Sequence, residues 1–324
     1  MKRRNFLKTA GASTLAIIAA GSLSDCSSSA SKQKKGDDGK KSKVFMTKDI
    51  SGSGLVALYK ALEKPVSGKV AVKMHWGEPG NINYLRPEIM RDLCETLHAT
   101  IVDSNVYYDS PRQTAEGNRQ AAIDHGYTFV PIDVLDAEGE IRLPVSGGKQ
   151  LREAILGSHI MNYDWIVSVA HFKGHEMAGF GGTFKNLAVG IGSVAGKRAI
   201  HTNGPDSDQW SCTGEPFLEK IIEYNKALMD KKGDQMIYFN VLNNLSKSCD
   251  CDANAPHPTM PDIGMLASTD PVALDKASLD QIYARPEAVR RELVEQIESC
   301  GGGYQVVYAE QMGLGSQQYE LIEV

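Results

Sequence analysis

Residues Trp165–Ala170 (WIVSVA) are nearly all apolar, and the chain passes directly from them into a glycine-rich segment. A strand without polar alternation is buried on both faces, as in the centre of a sheet covered by helices on either side. The sequence from Val44 onward fits that frame. Strands are predicted over Lys69–Trp76, Thr100–Asp103, Gln235–Leu242 and Ile263–Ala267. Helices are predicted over Pro87–His98, Thr114–His125, Pro216–Met229, Pro271–Ala284 and Glu287–Ser299, from apolar residues at helical spacing, first-turn prolines and the stop at Gly126. Strand–helix alternation of this kind specifies an α/β fold with a mainly parallel sheet and flanking helices. Residues 44–324 read as one body, with no internal repeat and no second linker.

The N-terminus has a different character. Met1–Lys8 (MKRRNFLK) opens with positive charge, a mild apolar run follows from Thr9 to Leu23, and small residues come next, as in a signal peptide. Paired arginines before Phe-Leu-Lys are those of a twin-arginine (Tat) leader; a Sec signal carrying two arginines is the alternative. The run is too short and too rich in Gly, Ala, Ser and Thr for a stable membrane span. Cys26 at its end is a candidate lipidation site within a signal over residues 1–26, although Asp25 is not the small residue expected before a lipidated cysteine; cleavage elsewhere is the alternative. Residues 27–43 have almost nothing apolar to bury and read as a flexible tether. The first 43 residues hold 10 Lys/Arg and 3 Asp/Glu, leaving 25 against 37, a net of −12, in residues 44–324. A body that acidic disfavours nucleic-acid partners. A membrane is expected as a partner only through the leader or a lipid anchor.

In open α/β sheets, ligands sit just past strand C-termini. His171–His201 (HFKGHEMAGFGGTFKNLAVGIGSVAGKRAIH) occupies such a position after the buried strand. Its glycines allow close approach of backbone N–H groups to a ligand, and its histidines and lysines add charge or metal ligation. His171, Lys173, His175 and Lys185 are the candidate catalytic residues. Three familiar motifs fail here. Gly190–Ala195 fits G-x-G-x-x-A, but Gly196 and the following KRAIH do not open an obvious helix. Gly196-Lys197 lacks P-loop spacing and its hydroxyl residue. His171-x-x-x-His175 lacks the zincin glutamate, and Gly174 opposes the helix such ligation needs.

Cys249-Asp250-Cys251 begins a polar loop containing three prolines. Thiolates two apart on an extended chain point the same way and can grip one metal, while a disulfide between them would be strained. Cys249 and Cys251, with His257 or Asp262 as further ligands, suit a metal ion or Fe–S cluster, iron or zinc. Two buried structural cysteines are the alternative, and redox thiol chemistry is a third reading. Cys94 falls near the apolar face of its helix and reads as core. A third cluster closes the first strong strand: Lys73, His75, Glu78 and Asn81 are candidate substrate-binding residues, together with Asn186. Asp103-Ser104-Asn105 follows another strand end. Several polar strand ends on one sheet edge make the case for a real site.

The strings KVAVKMHWGEPGN, HFKGHEMAGFGGTFKNLAVGIGSVAGK, SCDCDANAPHPTMPDIGMLASTDPVALDKASLD and GLGSQQYELIEV resemble the DUF362 proteins, a domain family of unknown function, over about residues 44–324. Many similar proteins carry an inserted ferredoxin domain with 4Fe–4S motifs. Here the corresponding segment, NGPDSDQWSCTGE, holds only Cys212, so the electron-transfer role implied for such relatives does not carry over. The expectation is an exported, lipid-anchored or periplasmic protein with a metal or Fe–S centre, acting on a small anionic or carbonyl-bearing molecule in redox chemistry with a redox partner. The alternatives are a non-catalytic periplasmic metal- or ligand-binding protein and a metal-dependent lyase or hydrolase.

Overall fold

The computed structural model describes residues 41–258 and 260–324. The leader, Cys26 and the tether up to residue 40 lie outside the described residues. Chain order is β1 (Ser42–Thr47), α1 (Gly52–Ala61), β2 (Val70–Lys73), α2 (Pro87–Thr96), β3 (Thr100–Asp103), α3 (Ala115–Asp124), β4 (Ile132–Val134), β5 (Glu140–Pro144) and β6 (Glu153–Gly157). There follow β7 (Trp165–His171), β8 (Lys173–His175), β9 (Gly179–Gly181), α4 (Thr183–Ile191), α5 (Val194–His201), α6 (Glu215–Lys232) and β10 (Met236–Leu242). The chain ends with β11 (Gly264–Ser268), α7 (Pro271–Tyr283), α8 (Glu287–Ser299), α9 (Tyr304–Gln311) and β12 (Tyr319–Glu323).

Eight strands form the main sheet in the order β12-β1-β11-β10-β7-β2-β3-β4. All neighbours pair in parallel except β11, which is antiparallel to both β1 and β10. The mainly parallel α/β fold expected from the sequence is therefore present. Strand residues alternate between two apolar cores. Ala71, Ile166 and Tyr238 face the core built with α4, α6 and α7, whereas Val72, Val167 and Phe239 face the one built with α1, α2 and α3. Both faces of β7 are thus covered, which is why WIVSVA carries no polar alternation.

Three local departures from expectation have simple causes. The sheet begins at Ser42, where backbone pairing with Tyr319 and Glu320 recruits residues assigned to the tether. Trp165–Ala170 extends by one residue, so His171 is the last residue of β7. The segment after Gly192 is a helix after all: Ser193 caps α5 by accepting from Gly196 N–H. Gly196 is tolerated there because Ile155 O lies where a Cβ would stand. The rejected dinucleotide motif still fails, because Gly190 lies inside α4 and Gly192 caps its end rather than either following a strand.

The order of strands fixes where a ligand can sit. From β2 the chain moves outward to β3 and β4, whereas from β7 it moves the other way to β10. Adjacent strands whose connections diverge leave a crevice beyond their C-terminal ends. Lys73 ends β2 and His171 ends β7, so both flank that crevice.

Candidate functional site

A cavity of about 280 Å³ opens at this crevice. It is lined by residues from the ends of β2 and β7, the end of β3 with the segment through Arg112, the β8–α5 segment, Trp210 and the Cys249–Cys251 turn. Lys73, His75, His171, Lys173, His175, Lys185, Asn186, Cys249 and Cys251 all lie on its wall. Four other expected site residues do not. Glu78 sits behind the wall, where it accepts from Tyr108 (2.7 Å) and Arg112 (3.3 Å). Asn81 holds the cysteine turn from outside by donating to Asp252 O (2.7 Å). His257 and Asp262 are exposed and do not join the cysteines; Asp262 instead accepts from Asn244 N–H (2.8 Å).

The third group beside the cysteines is His175. Ligand atoms of His175, Cys249 and Cys251 all lie within 4.8 Å of one another. The cysteines are not on an extended chain: Asp252 N–H donates to Cys249 O (3.0 Å), closing a tight turn. Their thiols converge because Asp250 points the other way. Its carboxylate lies 2.9 Å from His171 Nδ1 and 2.8 Å from Lys173 Nζ, with all three side chains buried. His171 Nε2 faces a second acceptor, Asn243 O, at 2.6 Å. Both His171 nitrogens are therefore engaged, leaving neither for ligation or proton abstraction.

The Cys249 thiol sits among donors. A hydrogen bond from Cys251, with Lys185 and His175 nearby, holds its thiol well below the usual range, while Cys251 keeps its proton. Lys185 Nζ lies 3.9 Å from Cys249 Sγ. His175 Nδ1 accepts from Met177 N–H and Ala178 N–H, each at 3.1 Å. The ring proton is then on Nε2, which is directed at Cys249. In this arrangement His175 supports the thiolate by donation, and the two sulfurs are the atoms free to bind a soft ion.

The opposite wall is cationic and tightly cross-linked. Lys73 Nζ bonds Asn186 Oδ1 (2.9 Å) and Met74 O (2.9 Å) and pairs with Asp103 (3.1 Å). Arg112 Nη2 donates to Asp103 (2.8 Å) and Nη1 faces His75 Nε2 (3.0 Å). Burial, then the nearby Arg112 charge, holds His75 down at about 3, so it is neutral. Arg112 is fully buried. Nothing in the sequence marks it, since a lone arginine after Ser110-Pro111 carries no pattern. Asp103 was the only legible hint, as a carboxylate at a strand end next to Lys73. Asp275 of α7 accepts from Thr183 N–H (2.9 Å), at the N-terminus of the helix that carries Lys185 and Asn186.

These features define an α/β protein with a cavity at its sheet switch point, lined by the Cys249–Cys251 pair and by buried cationic side chains. The chain belongs to the DUF362 family (domain of unknown function), whose model matches residues 70–280. No curated protein matches the sequence. Among solved structures, the chain is similar to the lactate racemase apoprotein from Thermoanaerobacterium thermosaccharolyticum, with 15% identity, TM-score 0.40, and coverage of 74% of this chain and 56% of that one. It is also similar to a protein from Thermotoga maritima, with 14% identity, TM-score 0.37, and coverage of 80% and 58%. The chain thus spans under two thirds of both.

Proposed function

We propose that this protein is an enzyme acting on a small anionic or carbonyl-bearing molecule, with its reaction centre at Cys249 and Cys251. The two thiols hold a soft metal ion, zinc or iron, on the cavity wall. The observation that carries the reading is the convergence of His175, Cys249 and Cys251 within 4.8 Å beside Lys185. The lowered pKa of Cys249 eases its ligation, while Cys251 gives up its proton when the ion binds, so metal uptake is expected to release protons. When bound, the ion supplies Lewis-acid or redox chemistry. The chain's own groups do the rest. Lys185 draws the substrate's negative charge toward the sulfurs, His175 stabilises Cys249 by donation, and Asp250 anchored to His171 and Lys173 fixes the turn. The proposed location is outside the cytoplasm, from the Tat-type leader, with Cys26 as lipid attachment point.

The orientation of His175 favours one second reading. With its proton on Nε2, Cys249 is equally placed as a metal-free nucleophile toward a carbonyl carbon, Lys185 taking the oxyanion. Metal analysis after anaerobic purification separates the two. About one equivalent of zinc or iron in wild type, lost in Cys249→Ser and Cys251→Ser and retained in His175→Gln, supports the metal centre. A metal-free protein that also fails to retain added zinc, cobalt or ferrous ion overturns it in favour of the nucleophile.

A further inference from the structure

Helix α5 presents two side chains to the cavity whose polar atoms the constellation above does not use. Lys197 and His201 are one turn apart (i, i+4), so both lie on the same helix face, and both line the cavity. Lys197 is 6% exposed and His201 5%. Lys197 Nζ donates to Ser104 Oγ (2.6 Å) and Gly192 O (2.7 Å). Among the described residues no carboxylate lies within ion-pairing distance of it, unlike Lys73 and Lys173, which face Asp103 and Asp250. An ammonium has three donors, so one N–H of Lys197 is left for a ligand. His201 Nδ1 faces the Lys197 carbonyl oxygen at 2.7 Å. A carbonyl only accepts, so Nδ1 carries the ring proton and Nε2 is a bare acceptor. No described residue donates to it. The ring is locked by Phe217 (centroids 5.1 Å apart), by Trp210 edge-on (4.9 Å) and by Tyr107 (6.4 Å).

We propose that Lys197 and His201 form a substrate-selecting subsite for a carboxylate that bears a nearby hydroxyl, the carboxylate taking the free ammonium N–H and the hydroxyl donating to His201 Nε2. A neutral, aromatic-locked imidazole with its proton fixed on the far nitrogen can only accept, so it selects for a donor. The choice of hydroxyl over a charged amino group follows from the surroundings. Among the described residues, Lys185 and Lys197 line the same cavity and form no ion pair with a carboxylate, so a ligand ammonium would meet them in a medium that screens poorly. A buried acceptor left without its donor is costly, which is how such a site rejects the analogue lacking the hydroxyl.

This inference rests on the reading of the cavity as the substrate site, but it is independent of what the thiols hold. The test is calorimetric titration of the purified full chain, chelator-treated and zinc-loaded, with tartronate and with malonate, which differ by one hydroxyl. Wild type is expected to bind tartronate about tenfold or more tightly than malonate. His201→Phe should equalise the two affinities and His201→Gln, which keeps an acceptor, should restore part of the preference. Lys197→Met should weaken both ligands by a similar factor. Thermal unfolding of each variant verifies folding. Equal affinities in wild type, no binding of either anion, or a preference that survives His201→Phe overturns the subsite. Metal content, read separately, decides the thiol centre whatever the anions do.

Discussion

His171 Nδ1 lies 2.9 Å from the carboxylate of Asp250, joining the end of β7 to a turn 79 residues further along the chain. The contact is buried and shared with Lys173. It converts Cys-Asp-Cys from a flexible loop into a fixed bracket: the central carboxylate is pinned toward the sheet, and the sulfurs on either side face the cavity.

Asp250→Asn is therefore expected to do more than remove a charge. It leaves His171 and Lys173 buried without their anion, which costs about 3–5 kcal/mol. Chemical denaturation should show a loss of that order. In Asp250→Asn protein that still folds, the two cysteines should lose their matched orientation, so retention of zinc should fall together with stability. A variant as stable as wild type would show that the bracket is held by the surrounding backbone instead.

Gly190 explains a motif that the sequence left without a use. A Cβ there would collide with the Lys73 ammonium, and Gly190 therefore gives Lys73 room to reach Asp103 and Asn186. Gly190→Ala should cost about 1–3 kcal/mol as an overpacked site. Gly190→Ala with Lys73→Met should show coupling, because shortening the collision partner relieves part of the strain. Denaturation of the two single variants and the double variant measures it; strictly additive losses would place the clash elsewhere.

The layout of the site was legible in the sequence because strand ends announce themselves. Lys73, His75, Asp103 and His171 each follow a β-branched or apolar run, and sheet topology brings such positions to one edge. The pairing of groups was not legible. Cys249 was assigned to His257 and Asp262, its neighbours in sequence, whereas it meets His175, 74 residues earlier, because β8 runs beside the turn: Gly174 N–H donates to Ser246 O at 2.8 Å. Helices α4 and α5 were hidden by glycines that look like loop but serve close approach to Lys73 and to Ile155. Arg112 could not be found at all, since its role is conferred by Asp103 and Glu78 from other segments.

The state of Cys249 is open to direct chemical test. In chelator-treated protein it should react with iodoacetamide faster than Cys94, whose thiol burial pushes up to about 12. Removing the Lys185 charge 3.9 Å away should raise the apparent pKa of the Cys249 reaction by about one unit or more. Mass spectrometry of time-resolved alkylation across pH, for wild type and Lys185→Met, measures both. Preferential modification of Cys212 or Cys300 would refute an activated Cys249.

Anion binding should fall as pH rises above about 8. Burial lowers the Lys197 ammonium from 10.5 to about 8; Asp136 and Asp103 oppose that shift, while Lys73 and Arg112 reinforce it. Below 8 the charge is present and a carboxylate can bind to it. Above 8 affinity should drop by about tenfold per unit until the contribution of Lys197 is lost. Lys73 also falls to about 8, mainly from burial, but its ammonium is already occupied by Asp103, Asn186 and Met74 O. Lys197→Arg distinguishes the two, because a guanidinium stays charged throughout; its affinity for tartronate should be flat across the range in which wild type declines. Stability should move the other way. The unfolded chain holds the Lys197 proton up to about 10.5 and the folded chain only to about 8, so the unfolded state binds more protons in that window and folding gains up to about 3 kcal/mol from this group as pH rises through it. A wild type whose binding weakens while its fold strengthens between pH 8 and 10, against a Lys197→Arg variant whose binding stays flat and whose gain in stability shrinks to the share Lys73 still contributes, would tie the binding loss and the missing share to one buried ammonium.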